Sequence, residues 1–292
     1  WCLGPVDLSF SLFDATSGVD VTQYRVDGGS WQAYVPGATI TGDGVHTVEY
    51  RSVDVAGNVE NTDSVQVRID ATPPATAVNL SGTSGNAGWW RSSVQVDLSA
   101  SDATSGVDTT EYRIDGGAWQ SYSSPFTVSG EGSHTVEYRS TDVAGNAETV
   151  QSRTVRIDTV APGTTASTSC TAPGSGGWCQ GPVDISLSAS DATSGVDSTE
   201  YRVDGGAWQA YSAGDQVTGD GTHTVEYRST DVAGNVEAVD STTVQIDGTP
   251  PASTISLNGT SGNAGWYVSS VQVSLSAADA TSGVDNTEYR VD

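Results

Sequence analysis

Alternating apolar and polar residues run through the chain and predict β-strands. The segments SVQVDLSAS (from Ser93), TEYRID (from Thr110) and HTVEYRS (from His134) place an apolar residue at every second position. A sheet with one buried face requires this spacing. No segment keeps the spacing of an amphipathic helix. The sequence therefore predicts an all-β protein.

Turn signals separate these strands at short intervals. YRIDGGAW, beginning at Tyr112, contains Asp-Gly-Gly, and its glycines accept the positive φ of a tight hairpin turn. VAGN, beginning at Val143, marks a second turn after HTVEYRSTD. About seven short strands in about 90 residues are typical of an immunoglobulin-like (Ig-like) β-sandwich.

The whole pattern is repeated along the chain. The heptapeptide DATSGVD begins at Asp14, Asp102, Asp191 and Asp279, at spacings of 88, 89 and 88 residues. A superperiod of 177 residues relates WCLGPVD at Trp1 to WCQGPVD at Trp178. We predict tandem Ig-like domains arranged end to end. They are called repeats 1 to 4 here: 1–70 (first strand missing), 71–158, 159–247, and 248–292, the truncated start of a fourth domain.

Composition narrows the class of partner. The chain carries 36 acidic residues against 11 basic ones, for a net charge of −25, and this field repels nucleic acid and attracts cations. All basic residues are arginine, so Lys–Asn cross-links are excluded in this window. No run of about 18 apolar residues is present, which argues against a transmembrane helix.

The cysteines indicate an oxidising compartment. Cys170 and Cys179 bracket the glycine-rich segment CTAPGSGGWC, a spacing that a disulfide can close. A zinc site would need two more soft ligands nearby, and the sequence offers none. Cys2 aligns with Cys179, so its partner is expected nine positions upstream, before Trp1. We expect an extracellular protein.

Charged residues beside the inward tyrosines are expected to form a ladder. Glu111 and Arg113 face outward on one strand, and Glu137 and Arg139 face outward on the next. Antiparallel pairing could set each arginine opposite a glutamate, at about 0.2–1 kcal/mol per pair. This is a structural interpretation, favoured over a catalytic one.

Histidines and tryptophans recur at fixed positions. The three histidines begin the strand after a Gly-containing loop and are interpreted as corner residues that bond a nearby carbonyl, rather than as metal ligands; they are His46, His134 and His223. Three tryptophans follow the hairpin turns, and they either cover one end of the core or stack on sugars; they are Trp31, Trp119 and Trp208.

Aspartates are expected to converge where one repeat meets the next. In an Ig-like sandwich the loop carrying DATSGVD and the loop carrying DVAGN lie at the same pole, where the linker from the preceding repeat also arrives. For repeat 2 the three aspartates are Asp70, Asp102 and Asp142; for repeat 3 they are Asp158, Asp191 and Asp231.

Two explanations of these aspartates remain open. Three crowded carboxylates repel one another unless a cation lies between them, and oxygen ligands suit Ca²⁺. We therefore predict a junction Ca²⁺ site for each trio. Alternatively, the aspartates cap their own loops through backbone amides, a role that needs no metal.

The motifs resemble a known family. ATSGVDTTEYRIDGGAWQSY followed by SGEGSHTVEYRSTDVAGNAE is similar to the bacterial Ig-like repeat named after an outer-membrane-protein type β-barrel domain. The resemblance covers every complete repeat. It implies an Ig-like sandwich in secreted or surface-attached bacterial proteins, including adhesins and multidomain glycosidases. Related repeats of giant adhesins bind Ca²⁺ at their junctions.

These observations favour a structural function. We expect an extracellular stalk or filament, secreted or on a bacterial cell surface, whose partners are further repeats or other copies of the same protein. The alternative is a set of carbohydrate- or surface-binding repeats of a larger secreted enzyme or adhesin, with glycans as partners. We do not expect an enzyme, because the acidic residues repeat with the fold and no unique cluster stands out.

Overall fold

The computed structural model describes residues 1–292. It is built from short β-strands and a single 3-10 turn at Asn263–Gly265. The chain divides into two compact units, residues 1–84 with 92–157 and residues 85–91 with 158–292. None of its helical segments has the length and apolar character needed to cross a bilayer. The all-β prediction is confirmed.

The strands follow the predicted repeats in chain order. Repeat 1 contains β1 (Val6–Asp7), β2 (Val19–Val26), β3 (Gln32–Ala33), β4 (Thr39–Ile40), β5 (Gly44–Asp54) and β6 (Asp63–Ile69). Repeat 2 contains β7 (Ala75–Ser81), β8 (Trp89–Trp90), β9 (Val94–Ser101), β10 (Val107–Ile114), β11 (Gln120–Ser121), β12 (Phe126–Val128), β13 (Gly132–Asp142) and β14 (Gln151–Ile157). Repeat 3 contains β15 (Gly163–Cys170), β16 (Val183–Ser190), β17 (Val196–Val203), β18 (Gln209–Ala210), β19 (Gln216–Val217), β20 (Gly221–Asp231) and β21 (Asp240–Ile246). Repeat 4 contains β22 (Ala252–Asn258) and β23 (Gln272–Ala278).

Repeat 2 shows the sandwich in the first unit. One sheet has the order β12–β9–β7, and the other contains β11–β10–β13–β14, with antiparallel neighbours. Val96 and Val128 from the first sheet and Val136 and Ile157 from the second are at most 1% exposed. The inward faces of both sheets thus form a dry core, as Ig-like packing requires.

Repeat 3 has the same arrangement in the second unit. Its sheets have the orders β15–β16–β19 and β18–β17–β20–β21. The core combines Val183, Ile185 and Leu187 from the first sheet with Tyr201, Val225, Tyr227, Val244 and Ile246 from the second. The prediction of tandem Ig-like sandwiches is confirmed at the level of fold.

The outer repeats contain fewer strands. Repeat 1 has a sheet of order β3–β2–β5–β6 and the short pair β1–β4, whereas repeat 4 has only the pair β22–β23. The predicted boundaries at residues 70, 158 and 247 fall in the links after β6, β14 and β21.

The hairpin turn differs from expectation in one detail. Its two positive-φ positions are Asp115 (φ 50°) and Gly116 (φ 71°), not the two glycines. Gly117 donates its backbone N–H to Ile114 O at 2.9 Å and closes the turn. Two successive positive-φ residues give the twist that an antiparallel hairpin needs, and aspartate tolerates this conformation better than most residues.

The charge ladder predicted beside the tyrosines is present. Glu111 lies opposite Arg139, and Arg113 lies opposite Glu137. The guanidinium group of Arg113 donates two hydrogen bonds to Glu137, at 2.8 and 2.9 Å. Tyr138, which alternates with these charges, is buried at 6% exposure.

The predicted disulfide is also present. Cys170, at the end of β15, is bonded to Cys179. Cys179 forms a parallel bridge with Ile246 of β21, so the disulfide ties the two sheets of repeat 3. Cys2 forms the equivalent bridge with Ile69 in repeat 1, but its thiol is free and exposed.

Candidate functional site

Three aspartates from different segments meet in the first unit. Asp70 follows β6 in the linker, Asp102 follows β9, and Asp142 ends β13. Each offers a carboxylate oxygen, and these oxygens all lie within 4.8 Å of one another. The structure therefore brings together the trio that the repeat pattern selected.

An equivalent trio lies in the second unit. Asp158, Asp191 and Asp231 have ligand atoms within the same 4.8 Å limit. Because the two trios come from corresponding positions of successive repeats, the arrangement recurs with the fold. We call them junction trio 1 (Asp70, Asp102, Asp142) and junction trio 2 (Asp158, Asp191, Asp231).

Loop hydrogen bonds fix the two aspartates that belong to repeat 2 itself. Asp102 Oδ1 accepts the backbone N–H groups of Thr104 and Gly106, at 3.1 and 2.8 Å. Asp142 Oδ1 accepts the N–H groups of Gly145 and Asn146, at 2.7 and 2.8 Å. The loop-capping role left open by the sequence is therefore present. Both bonds to Asp102 use Oδ1, which leaves Oδ2 for another ligand.

The linker aspartate is bonded to both loops of the next repeat. Asp70 Oδ2 accepts the N–H of Ser105 at 2.9 Å. Its backbone carbonyl accepts the side-chain amide of Asn146 at 2.9 Å, and that amide also donates to Asp142 Oδ2 at 2.8 Å. The two loops touch directly, since Val143 N–H donates to Gly106 O. Ser194 and Asn235 make the same bonds to Asp158 in the second unit.

The linker is also held by the repeat that precedes it. Asp43 accepts the N–H of Ala71 at 2.9 Å and the hydroxyl of Thr72 at 2.5 Å. Asp220 makes the same two contacts with Gly248 and Thr249. These clamps were not predicted, although GDG ends two residues before His46 and two residues before His223. Residues 70–72 are thus fixed from both sides.

The trios concentrate negative charge away from water. Four of the six aspartates are at most 2% exposed; they are Asp70, Asp142, Asp158 and Asp231. The salt bridges of the structure join arginine to glutamate or histidine to aspartate elsewhere, and none includes a trio member. Burying carboxylates is costly unless a positive charge compensates.

Asp70 is ionised at neutral pH. Burial raises its pKa, but hydrogen bonds from Ser105 and Thr72 outweigh that effect and hold the pKa below its ordinary value. The anionic form is therefore the one that the loops support. An anionic Asp70 beside two more carboxylates makes the junction attractive to a cation.

The donor set fits Ca²⁺. This ion takes six to eight oxygen ligands at about 2.3–2.6 Å, so oxygens on opposite sides of it are about 5 Å apart. Oxygens within 4.8 Å of one another can therefore contact one ion together. Each trio offers carboxylates only, without the thiolate or imidazole that zinc and copper prefer.

A third junction, between repeats 3 and 4, contains two aspartates that correspond to members of the trios. Asp247 Oδ2 accepts the N–H of Ser282, and Asp279 Oδ1 accepts those of Thr281 and Gly283. The hydrogen bond from Ser282, among others, holds the pKa of Asp247 below its ordinary value although burial raises it. Within residues 1–292 this junction therefore brings together the carboxylates of Asp247 and Asp279.

The histidines are hairpin clamps. His134 Nε2 lies 3.1 Å from Gly130 O, as the corner interpretation predicts, and Nδ1 lies 2.8 Å from Asp115 Oδ2. Carbonyl and carboxylate oxygens only accept hydrogen bonds, so both bonds form together when the ring is protonated. His46 and His223 make the same pairs of contacts. The aspartate partner was not predicted.

The hairpin tryptophans are covered by arginine. The guanidinium carbons of Arg113 and Arg139 lie 4.7 and 4.5 Å from the centre of a Trp119 ring. Trp31 and Trp208 have corresponding arginine pairs. This is cation–π geometry, and the arginine-covered face would have to be cleared before a sugar could stack on it. Sugar binding by these rings stays a prediction.

A glycine-rich loop makes a further junction contact in the second unit. Asn86 N–H donates to Ala233 O at 2.9 Å, and Arg91 donates to Gly234 O at 3.1 Å. A Cβ on Gly85 would lie 2.4 Å from Ala233 O, so the approach requires glycine. This contact was not predicted, because the residue types in the loop SGNAGWW do not indicate a partner.

Comparison with known proteins gives structural likenesses only. No protein-family model and no curated protein matches the chain. Among solved structures, it is similar to fibronectin(III)-like modules of Clostridium thermocellum CbhA, with 16% identity, a TM-score of 0.28, and coverage of 53% of this chain and 86% of that one. It is also similar to a 1.5-MDa bacterial ice-binding adhesin, with 19% identity, a TM-score of 0.33, and coverage of 84% of this chain and 91% of that one. The D00-D0 domain of intimin is similar with 12% identity, a TM-score of 0.29, and coverage of 59% of this chain and 100% of that one.

Proposed function

We propose that this chain is a structural, non-catalytic extracellular protein, a stalk or filament segment on a bacterial surface. In this proposal Ca²⁺ stiffens the junctions between its repeats. The observation that carries the proposal is that three carboxylates, from a linker and from two loops of the next repeat, converge at two successive junctions.

Three features support a structural role. Repeats 2 and 3 have the same strand order in both sheets and the same hydrogen bond from a loop serine, Ser105 or Ser194, to the linker aspartate. Disulfides persist in oxidising compartments, so the bond between Cys170 and Cys179 supports an extracellular location. The resemblance of ATSGVDTTEYRIDGGAWQSY to bacterial Ig-like repeats supports a surface or secreted setting.

The junction residues would act on linker stiffness in the following way. Asp102 and Asp142 are fixed within repeat 2 by their own loops, and Asp70 belongs to the linker from repeat 1. Ca²⁺ bound by all three would supply the positive charge that they lack and would couple the linker to the loops. Bending the junction would then separate ligands from the ion. A serial array held in this way resists bending at each junction.

Electron microscopy of single molecules tests the proposal. We expect the 292-residue chain to show a narrow distribution of end-to-end distances in Ca²⁺ and a broader one after chelation with EGTA. The double variant D102N/D191N should show the broad distribution in both conditions, because each trio loses one anionic ligand.

A matched variant controls for charge. Asp108 and Asp197 lie close to the same aspartates in sequence but are exposed and belong to neither trio. D108N/D197N should therefore behave like the unmodified chain. Equal distributions with Ca²⁺ and with chelator in the unmodified chain would contradict the proposed stiffening.

A further inference from the structure

The two ends of repeat 3 lie at opposite ends of its first strand, β15. The chain enters the repeat at Gly163, which begins β15, and leaves it at Asp247, which follows β21. Cys170, the last residue of β15, has its Cα 5.5 Å from that of Cys179, and the carbonyl of Cys179 accepts the N–H of Asp247 at 2.8 Å. Pulling on the two ends of the chain therefore slides β15 lengthwise along its sheet.

Two kinds of contact hold β15 against this sliding. It pairs with β16 over all eight of its residues. Antiparallel hydrogen bonds lie across the strand direction, so sliding strains all of them together. Thr164 also donates its N–H and its hydroxyl to Glu237, at 2.7 and 2.6 Å. Repeat 2 holds its first strand in the same way, because β7 pairs with β9 and Thr76 donates the same two bonds to Glu148.

The exit from repeat 3 is held by a separate contact. Cys179 donates its N–H to Gln245 O at 2.9 Å and accepts the N–H of Asp247 at 2.8 Å. We call these two hydrogen bonds the exit clasp. At the exit from repeat 2, the carbonyl of Trp90 accepts the N–H of Asp158 at 2.9 Å. Both repeats thus fasten their last residue to the segment that follows the loop after the first strand.

A disulfide connects β15 to the exit clasp in repeat 3. Cys170 is bonded to Cys179, nine positions further on, whereas repeat 2, residues 71–158, contains no cysteine. Without the bond, the segment between these positions could straighten to about 30 Å before a moving β15 pulled on Cys179. The bond removes that slack. β15 therefore cannot slide far without drawing Cys179 away from Gln245 and Asp247.

We propose that this disulfide is a mechanical lock, which makes the β15 pairing and the exit clasp break together when the chain is stretched. In repeat 2, β7 can detach first, and the loop after it straightens before Trp90 is pulled. Repeat 3 therefore withstands tension for longer than repeat 2, and reduction of the disulfide gives repeat 3 the behaviour of repeat 2. This inference goes beyond the proposed stiffening of the junctions and is independent of Ca²⁺.

Reduction by a dithiol, such as dithiothreitol, opens the lock. One thiolate of the dithiol attacks a sulfur of the disulfide, which gives a mixed disulfide and releases one cysteine thiolate. The second thiolate of the dithiol then attacks the mixed disulfide, closes a cyclic disulfide in the reagent and releases the other cysteine. Two electrons pass from the reagent to the protein, and both cysteines become thiols. Cys2 is already a free thiol and is unchanged.

Single-molecule stretching at constant force tests the lock. The full chain is held by its two ends in EGTA, so that Ca²⁺ does not contribute. Repeat 3 is identified by its unfolding step, which should become about 25 Å longer on reduction because the segment between the cysteines is released. We expect repeat 3 to survive under load at least about tenfold longer in the oxidised form, because the exit clasp must break in the same step as the β15 pairing.

The order of events gives a second readout. Reduced repeat 3 should first extend by about 30 Å, as β15 and the loop after it straighten, and should unfold completely only afterwards. Oxidised repeat 3 should unfold in one step. The double variant C170S/C179S should behave like the reduced chain and should not respond to the dithiol. If this variant shows a changed circular dichroism spectrum, the oxidised and reduced forms of the unmodified chain still decide.

Two results would overturn the proposal. A disulfide that only constrains the unfolded chain changes the step length and the refolding rate but not the time that the folded repeat survives under load. Equal survival times in the oxidised and reduced forms would therefore assign the bond that ordinary role. A reduced repeat 3 that still unfolds in one step would show that β15 and the exit clasp break together without the disulfide.

Discussion

At the scale of single residues, the hairpin aspartates combine a backbone role with an electrostatic one. Asp115 adopts a positive φ of 50° that begins the turn. Its carboxylate accepts the N–H of Thr135 at 2.7 Å and faces the ring of His134. The hydrogen bond to Asp115 raises the pKa of His134, although burial lowers it, and the hydrogen bond from His134 lowers the pKa of Asp115.

This pairing predicts a pH window for hairpin stability. The stabilisation from His134 is complete below the unfolded pKa of about 6.5 and is lost as pH rises through the higher folded pKa. The stabilisation from Asp115 is complete above the unfolded aspartate pKa of about 3.9 and is lost as pH falls through the lower pKa of the folded state. The clamp is therefore strongest between about pH 4 and pH 6.5.

Melting temperatures measured at several pH values test this pH window for hairpin stability. We expect the melting temperature to fall more between pH 5.5 and pH 8.5 in the unmodified chain than in a triple variant with glutamine at His46, His134 and His223. The comparison between variants matters because the net charge of −25 also makes the fold less stable as pH rises. Parallel pH profiles for the two proteins would contradict the clamp.

At the scale of elements, loops rather than strands make the contacts that link the sandwiches within each unit. The linker carries Asp70, and the loops after β9 and β13 carry the residues that bond to it. In the second unit, the loop at 85–91 adds the contact of Asn86 with Ala233. Short loops with several backbone hydrogen bonds are rigid enough to hold such a contact.

The substitution Gly85→Ala tests the loop contact. Its Cβ would lie 2.4 Å from a backbone oxygen, so the loop must move away, at a cost of about 1–3 kcal/mol. We expect exchange of the Asn86 amide hydrogen to accelerate about ten- to hundredfold, as that free energy implies.

Gly163→Ala is the control for this measurement. A Cβ at Gly163 meets nothing within 4 Å, and the residue does not have a positive φ. Exchange at Asn86 should therefore be unchanged in the control variant. Unchanged exchange in Gly85→Ala as well would show that the loop does not depend on this close approach.

At the scale of the whole molecule, the regular repeat made much of the fold predictable. Alternation in HTVEYRS was enough to assign a strand and its buried face, because strand side chains alternate strictly. The aspartate trios were selectable because an Ig-like topology brings those loops to one pole. Knowing the Ig-like topology was therefore enough to predict which aspartates lie close together.

Contacts set by loop conformation could not be predicted in the same way. The pairing of Asp115 with His134 depends on aspartate occupying the first positive-φ position, where the glycines had been expected. The clamp of Asp43 on Thr72 joins residues that neither alternation nor topology relates. Local backbone geometry decides such contacts, and neither the alternation pattern nor the fold topology specifies it.

Isothermal titration with Ca²⁺ tests the central claim most directly. With two complete trios, the chain should bind two Ca²⁺ ions with high affinity, and D108N/D197N should bind the same number. D102N should bind one, and D102N/D191N should bind none with that affinity. Absence of binding heat for the unmodified chain, with a melting temperature that is the same in Ca²⁺ and in excess EGTA, would contradict the account.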